Sequence, residues 1–168
     1  MDARTGSMAM ARSDGRLRLA QWLAVAVPGA LLLGALGSQL IGGLIPCEMC
    51  MWQRWPHLVA LGFAALSFGA SRQARPAVLI AALAIAASGA IGVFHAGVEY
   101  GWWQGLTACS TGSLGATGDE LLKSILATPL VRCDQVQWSL LGISLAGWNA
   151  LLSLSFAGVI AWLASTKH

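Results

Sequence analysis

Four apolar stretches of the chain carry no charged residue: 19–47, 55–71, 76–98 and 135–166. A membrane span needs roughly 20 apolar residues, and a helix satisfies its own backbone groups where no water can. The pattern predicts an all-α membrane protein, a four-transmembrane-helix bundle forming a single domain over residues 1–168. Its spans are expected at about 19–45, 52–71, 76–98 and 142–164. Composition agrees, with 57% of the 168 residues hydrophobic and 10% charged, against roughly a quarter charged in soluble domains. The net charge of +3 comes from ten scattered basic residues without interleaved aromatics, so no nucleic-acid partner is expected.

The first span contains Pro28 and several glycines, which predicts a kink or tilt. It is read as an anchor; the alternative is a cleaved signal peptide, because Arg16 and Arg18 precede the apolar run. An uncharged stretch longer than the usual h-region of about 7 to 15 residues favours the anchor. The second interval is short, about 25 Å at about 1.5 Å per residue. It is expected to extend upstream past Arg54, leaving Trp52 and Trp55 in an interfacial belt and Cys50 one turn from Arg54. Pro56 then falls in a first helical turn or introduces a kink.

Arg4, Arg12, Arg16, Arg18, Arg72, Arg75 and Lys167 fall on one side of these spans. That side is predicted to be cytoplasmic, with both termini, so the external loops are about 46–51 and 99–141. In the second loop, Leu121, Leu122, Ile125 and Leu126 recur at helical spacing between Asp119 and Pro129. A short amphipathic helix on the outer membrane surface, or one packed on the bundle, is expected there.

All four cysteines lie in these external loops, where disulfides persist: Cys47 and Cys50 in the first, Cys109 and Cys133 in the second. Two structural staples are one reading. It suits Cys109 and Cys133 better than Cys47 and Cys50, since so short a ring removes little unfolded-chain entropy. A zinc site with His57, His95 and Glu99 nearby is a second reading, but Cys109 and Cys133 lack the paired spacing of structural zinc ligands, and no metal is expected. The third is redox exchange. A guanidinium one turn from a cysteine, with the positive end of a helix, lowers a thiol's pKa and favours the thiolate that attacks. A pair at the lipid boundary also needs an electron acceptor reachable from the bilayer, for which a lipid-soluble quinone is suited. His57 is read as an interfacial residue.

The stretch PCEMCMWQR at 46–54, the stretch FHAGVEYGWWQGLTAC at 94–109 and the placement of Cys109 and Cys133 resemble the disulfide bond formation protein B (DsbB) family. The resemblance implies a four-helix membrane bundle of the bacterial inner membrane that oxidises a periplasmic thioredoxin-fold partner (DsbA-like) and passes electrons to ubiquinone or menaquinone. It further implies that Cys109 and Cys133 exchange with the partner, with Cys109 taking the mixed disulfide. Cys47 and Cys50 would reoxidise that pair, with Cys50 facing the quinone and Arg54 polarising it. His95 and Glu99, one helical turn apart, would line the same pocket. The vitamin K epoxide reductase family also combines a four-helix core with these cysteine pairs, but there the loop pair precedes the C-x-x-C. A non-enzymatic membrane scaffold with disulfide-stapled loops is the alternative from another class.

Overall fold

The computed structural model describes residues 3–69, 73–106 and 132–165, with side chains from residue 15 onward. Cys109 and the expected amphipathic helix, with Asp119 and Pro129, lie outside the described residues. Four helices, α1 (Ala3–Leu40), α2 (Glu48–Gly69), α3 (Ala74–Glu99) and α4 (Leu145–Ser165), form the bundle. Helix α3 packs against α2 and α4, and α1 against α4 and α2. Among the described residues, Gly15–Leu40, Ala74–Glu99 and Leu145–Ser165 are long and apolar enough to cross a membrane.

The packing follows from a stripe of small residues on each helix. The buried positions of α2 include Met49, Gln53, His57, Ala60, Ala64 and Ser67; those of α4 include Ala146, Ala150, Ser153, Ala157, Ile160 and Ala164. Spacings of three and four keep each set on one face. Small side chains there let backbones approach closely, which matters in lipid, where apolar burial alone does not drive helices together. Leu33, Leu66 and Leu83 project outward. At Gly92 the approach is close enough that an added Cβ would lie 3.0 Å from the Ala146 carbonyl oxygen and 3.1 Å from Asn149 Nδ2.

The ends of the elements depart from the predicted spans for local reasons. Helix α1 stops at Leu40 rather than near residue 45. Gly43 turns into the left-handed region at φ 67°, and the Leu44 N–H closes on the Ser38 carbonyl at 3.1 Å. Helix α2 starts earlier than expected, at Glu48, so Cys50 belongs to its first turn rather than to a loop. Pro56 therefore lies in the interior of α2, not in a first turn. A two-stranded antiparallel hairpin, β1 (Ser139–Leu140) and β2 (Ile143–Ser144), precedes α4 and delays its start to Leu145. Its turn residues Leu141 and Gly142 both have positive φ, 54° and 78°, as a two-residue hairpin turn demands. Tyr100 ties this hairpin to the end of α3: its hydroxyl accepts from the Ser144 N–H at 2.9 Å and donates to the Gly142 carbonyl at 3.1 Å.

Candidate functional site

Cys47 is the residue before α2, and its sulfur does what a serine or aspartate oxygen does at a helix start. The Cys50 N–H donates to Cys47 Sγ at 3.2 Å, while the Cys47 carbonyl accepts from the Met51 N–H. A C-x-x-C pair set this way places one sulfur at the N-cap and the other in the first turn, at the positive end of the helix. The two sulfurs are 2.9 Å apart, with the Cys47 thiol donating to Cys50. Both cysteines precede the apolar span that begins near residue 52, and their acidities diverge. The hydrogen bond from Cys47 holds the Cys50 thiol down at about 7 against the opposing effect of burial. Giving that hydrogen bond, together with burial, pushes Cys47 up. The Arg54 charge also lowers Cys50, as the sequence predicts, but it is a smaller cause than the neighbouring sulfur.

Cys133 is brought to this pair from the segment between α3 and α4. It is fully buried in one cluster with Cys47, Met49 and Val98, and Cys50 and Phe94 pack against that cluster. Three of the four predicted cysteines thus converge.

Arg54 follows Cys50 by one turn of α2. Its Nη1 donates to Gln39 Oε1 at 2.9 Å and its Nη2 to the Ala35 carbonyl at 3.4 Å, both on α1. His95 sits near the end of α3 with Nε2 3.5 Å from Cys47 Sγ, and it is hydrogen-bonded to the Cys133 backbone. Its Nδ1 accepts from Gln53 Nε2 at 2.8 Å. Glu99 lies one turn further, with Oε1 3.8 Å from His95 Nε2, and is hydrogen-bonded to Ser144; its buried Oε2 has no partner.

These residues line a cavity of about 210 Å³. Its walls include Leu31, Leu32 and Ile45, while Cys50, Arg54, His95 and Glu99 contribute polar atoms. Apolar walls with a guanidinium and other polar groups among them fit a flat, largely apolar ring bearing carbonyl acceptors. The residue set therefore suits a quinone, with Arg54 as the cationic donor. Cys47 Sγ, Cys50 Sγ and a His95 ring nitrogen also lie within 4.8 Å of one another. Sulfur and imidazole are donor types that soft metals take.

Comparison with known proteins decides the family. The family described as "Disulfide bond formation protein DsbB" matches residues 17–163. The chain belongs to the DsbB family. Disulfide bond formation protein B of Neisseria gonorrhoeae is 29% identical over 153 residues, covering 86% of this chain and 93% of that protein. Disulfide bond formation protein B 2 of Pseudomonas aeruginosa is 31% identical over 140 residues, covering 78% and 81%. The protein of the same name from Marinobacter nauticus is 31% identical over 133 residues, covering 74% and 78%. No solved structure matches the chain. The protein is accordingly a membrane redox protein of disulfide bond formation, as the cysteine pattern and the resemblance lead one to expect.

Within this DsbB-family bundle the sequence reading missed a polar cluster and misplaced one residue. His57 is not interfacial: it is 3% exposed, between α2, α3 and α4. Its Nε2 lies 3.0 Å from Asn149 Oδ1 and 2.9 Å from Ser88 Oγ, while its buried Nδ1 has no partner. Asn149 Nδ2 donates to Gln53 Oε1 at 2.8 Å and to the Ser88 carbonyl at 3.3 Å. A signal was available. Met49, Gln53 and His57 recur every fourth residue on the face that continues into Ala60 and Ala64. Polar residues in a small-residue stripe face the bundle, not the headgroups.

Proposed function

We propose that this DsbB-family protein is a protein dithiol:quinone oxidoreductase of the bacterial inner membrane that reoxidises a periplasmic thioredoxin-fold partner of the DsbA kind. The observation that carries this reading is one of placement. Cys133 and Cys47 share one buried cluster, and the neighbouring Cys50 lines the apolar cavity that Arg54 also lines. Disulfide exchange passes through thiolate attack and mixed disulfides, so such an order gives a path from the second external segment to the cavity.

In this reading a partner thiolate attacks Cys109 of a Cys109–Cys133 disulfide, and the bond breaks with its electron pair on Cys133. Cys133 then attacks Cys47 of a Cys47–Cys50 disulfide, and the electron pair leaves on Cys50. The partner's second thiolate completes its own disulfide and expels Cys109. Cys109 attacks Cys133, which expels Cys47 and leaves the C-x-x-C pair reduced. A quinone bound in the cavity, ubiquinone or menaquinone, supplies the two-electron, two-proton acceptor that lets this pair close again. Arg54, fixed by Gln39 and Ala35, favours the Cys50 thiolate and offers its remaining donors to the cavity. The excess of arginine and lysine around the termini and between the second and third helices supports cytoplasmic termini and periplasmic cysteines.

Steady-state oxidation of the reduced partner at varied quinone concentration tests the proposal on Arg54→Ala and Arg54→Lys. Loss of one preorganised donor at other enzymes' anion sites costs about 2.7 to 4 kcal/mol, or roughly 10² to 10³ in rate. Arg54→Ala is expected to approach that loss in quinone use, with thiol exchange between the partner and Cys109 preserved. Arg54→Lys is expected to recover part of it, keeping the charge but not the planar fork. Unaltered quinone kinetics in Arg54→Ala would leave Arg54 an interfacial anchor and refute its assignment.

A further inference from the structure

The hydrogen bonds around Gln53 and Asn149 have a direction that can be read without ambiguity, because they end on backbone carbonyls that only accept. Asn149 reaches the Ser88 carbonyl at 3.3 Å, so the reaching atom is its amide nitrogen. That same nitrogen lies 2.8 Å from the Gln53 side chain, which must therefore present its oxygen. The other end of the Gln53 amide is its nitrogen, and it has its own carbonyl to confirm it, Met49 at 3.3 Å. This nitrogen lies 2.8 Å from His95 Nδ1. An amide N–H donating to Nδ1 leaves that ring nitrogen as the acceptor, so a neutral His95 carries its proton on Nε2. Nε2 is the atom 3.5 Å from Cys47 Sγ and 3.8 Å from Glu99 Oε1, and with Nδ1 held by Gln53 it is also the nitrogen left for the ring's hydrogen bond to the Cys133 backbone.

From this chain of donors we infer that Gln53 and Asn149 are positioning residues that lock His95 in the Nε2–H form and so aim an N–H at the Cys47 sulfur. Cys47 Sγ then faces the Cys50 backbone N–H at 3.2 Å and, shared with the Cys133 backbone, the His95 Nε2–H at 3.5 Å. Two N–H groups set around a sulfur act as an anion hole for it, already oriented when negative charge arrives. The step they serve rests on the exchange order proposed above. When Cys109 attacks Cys133 of a Cys47–Cys133 bond, the new S–S bond forms between Cys109 and Cys133. The old bond breaks with its electron pair on Cys47, the sulfur the two donors face. A lower-energy thiolate is a faster leaving group. The opposite tautomer would turn a ring lone pair toward that charge.

The test uses the full chain in detergent micelles, reduced, without partner or quinone, so its result is separable from any failure of the quinone reading. Nitrogen-15 NMR of histidine-labelled protein distinguishes a ring nitrogen that bears hydrogen from one that does not, and His95→Gln assigns the His95 signals. Wild type is expected to show His95 with hydrogen on Nε2 and a bare, hydrogen-bonded Nδ1. Gln53→Glu replaces the donating amide by an accepting carboxylate and is expected to place a proton on Nδ1. Asn149→Asp gives a second route, since the introduced carboxylate accepts from the Gln53 amide nitrogen and turns the Gln53 oxygen toward His95. In a Cys50→Ala background, iodoacetamide modification of Cys47 at pH 7 should slow by about three- to tenfold in each variant. That range is the loss of one hydrogen bond to a charged group, partly offset by the higher intrinsic nucleophilicity of a more basic thiolate. A wild-type His95 protonated on Nδ1 overturns the inference at once, whether or not either variant folds. So does a tautomer that moves in the variants with no change at Cys47, or a slower Cys47 with the tautomer unmoved, which marks a merely structural effect.

Discussion

The two ends of the helix bundle are held by different physics. Toward the end away from the cysteines, the core is Ala20, Ala24, Ala60, Ala64, Ala81, Ala82 and Ala164 with a few larger side chains such as Val78, Ile85 and Ile160. Close packing of small residues dominates there, with Gln21 Nε2 donating to the Ser67 carbonyl at 2.7 Å and the Arg16 guanidinium over the Trp162 ring as polar ties between helices. Toward the cysteine end the buried and partly buried groups are two thiols at the start of α2, Cys133, two imidazoles, two side-chain amides and a carboxyl group. Dispersion is indifferent to which atom of a side chain faces which, whereas hydrogen bonds are not. The dry end therefore sets the distance between helices, and the polar end sets which atom faces the sulfurs.

Substitutions on either side of this divide should separate activity from stability. The largest expected effect is that of Cys50→Ala, which should reduce quinone-dependent oxidation of the partner to background while circular dichroism and, in the reduced protein below pH 7, the unfolding midpoint stay at wild-type values. Ala81→Leu should do the converse. It overpacks a fully buried position of the dry core, costing about 1 to 3 kcal/mol in a denaturation experiment, with the specific activity of the folded fraction unchanged. Gly92→Ala sits on the boundary and sharpens the comparison, because its methyl group would press on both the α4 backbone and Asn149. It should lose a similar amount of stability, about 1 to 3 kcal/mol, and should slow turnover as well. If Gly92→Ala loses stability alone, the polar cluster has no positional role in the reaction.

The smallest effect is on acidity. Since the Cys50 thiol is held down at about 7, its modification by iodoacetamide in the reduced protein should be half-maximal near pH 7. Removing the donor in Cys47→Ala should raise that midpoint toward the ordinary thiol value of about 8.5. Arg54→Ala should raise it less, the Arg54 charge being the smaller of the two causes. The sign for stability follows. A depressed thiol stabilises the reduced fold fully above its unfolded-state value, and that contribution is lost as pH falls through about 7. Equal midpoints in all three proteins would mean that the helix start, shared by all of them, sets the acidity of Cys50.

Charge-free runs of residues marked the four helices, three of them among the described residues long and apolar enough to cross a membrane, because lipid penalises a charge wherever it falls along a span. That penalty is a property of each residue, so it is legible in a linear string. The same holds for the C-x-x-C pair followed by Arg54, since helical pitch alone puts Cys50 and Arg54 one turn apart. The helix ends were less legible. The early start of α2 comes from Cys47 acting as its cap, and the late start of α4 comes from a hairpin that Tyr100 pins, two outcomes that depend on where single polar atoms find partners.

What the sequence determined by itself, then, was the membrane bundle, the family and the pairing of cysteine chemistry with Arg54, all of them carried by local composition and spacing. Tertiary structure alone decided that Cys133 lies beside Cys47, that His95 approaches Cys47, and that His57 and Asn149 are interior. These residues come from elements far apart in the chain, and their contacts depend on how closely α3 approaches α2 and α4. That approach is set by glycine and alanine side chains too small to announce, in sequence, which larger groups they let meet.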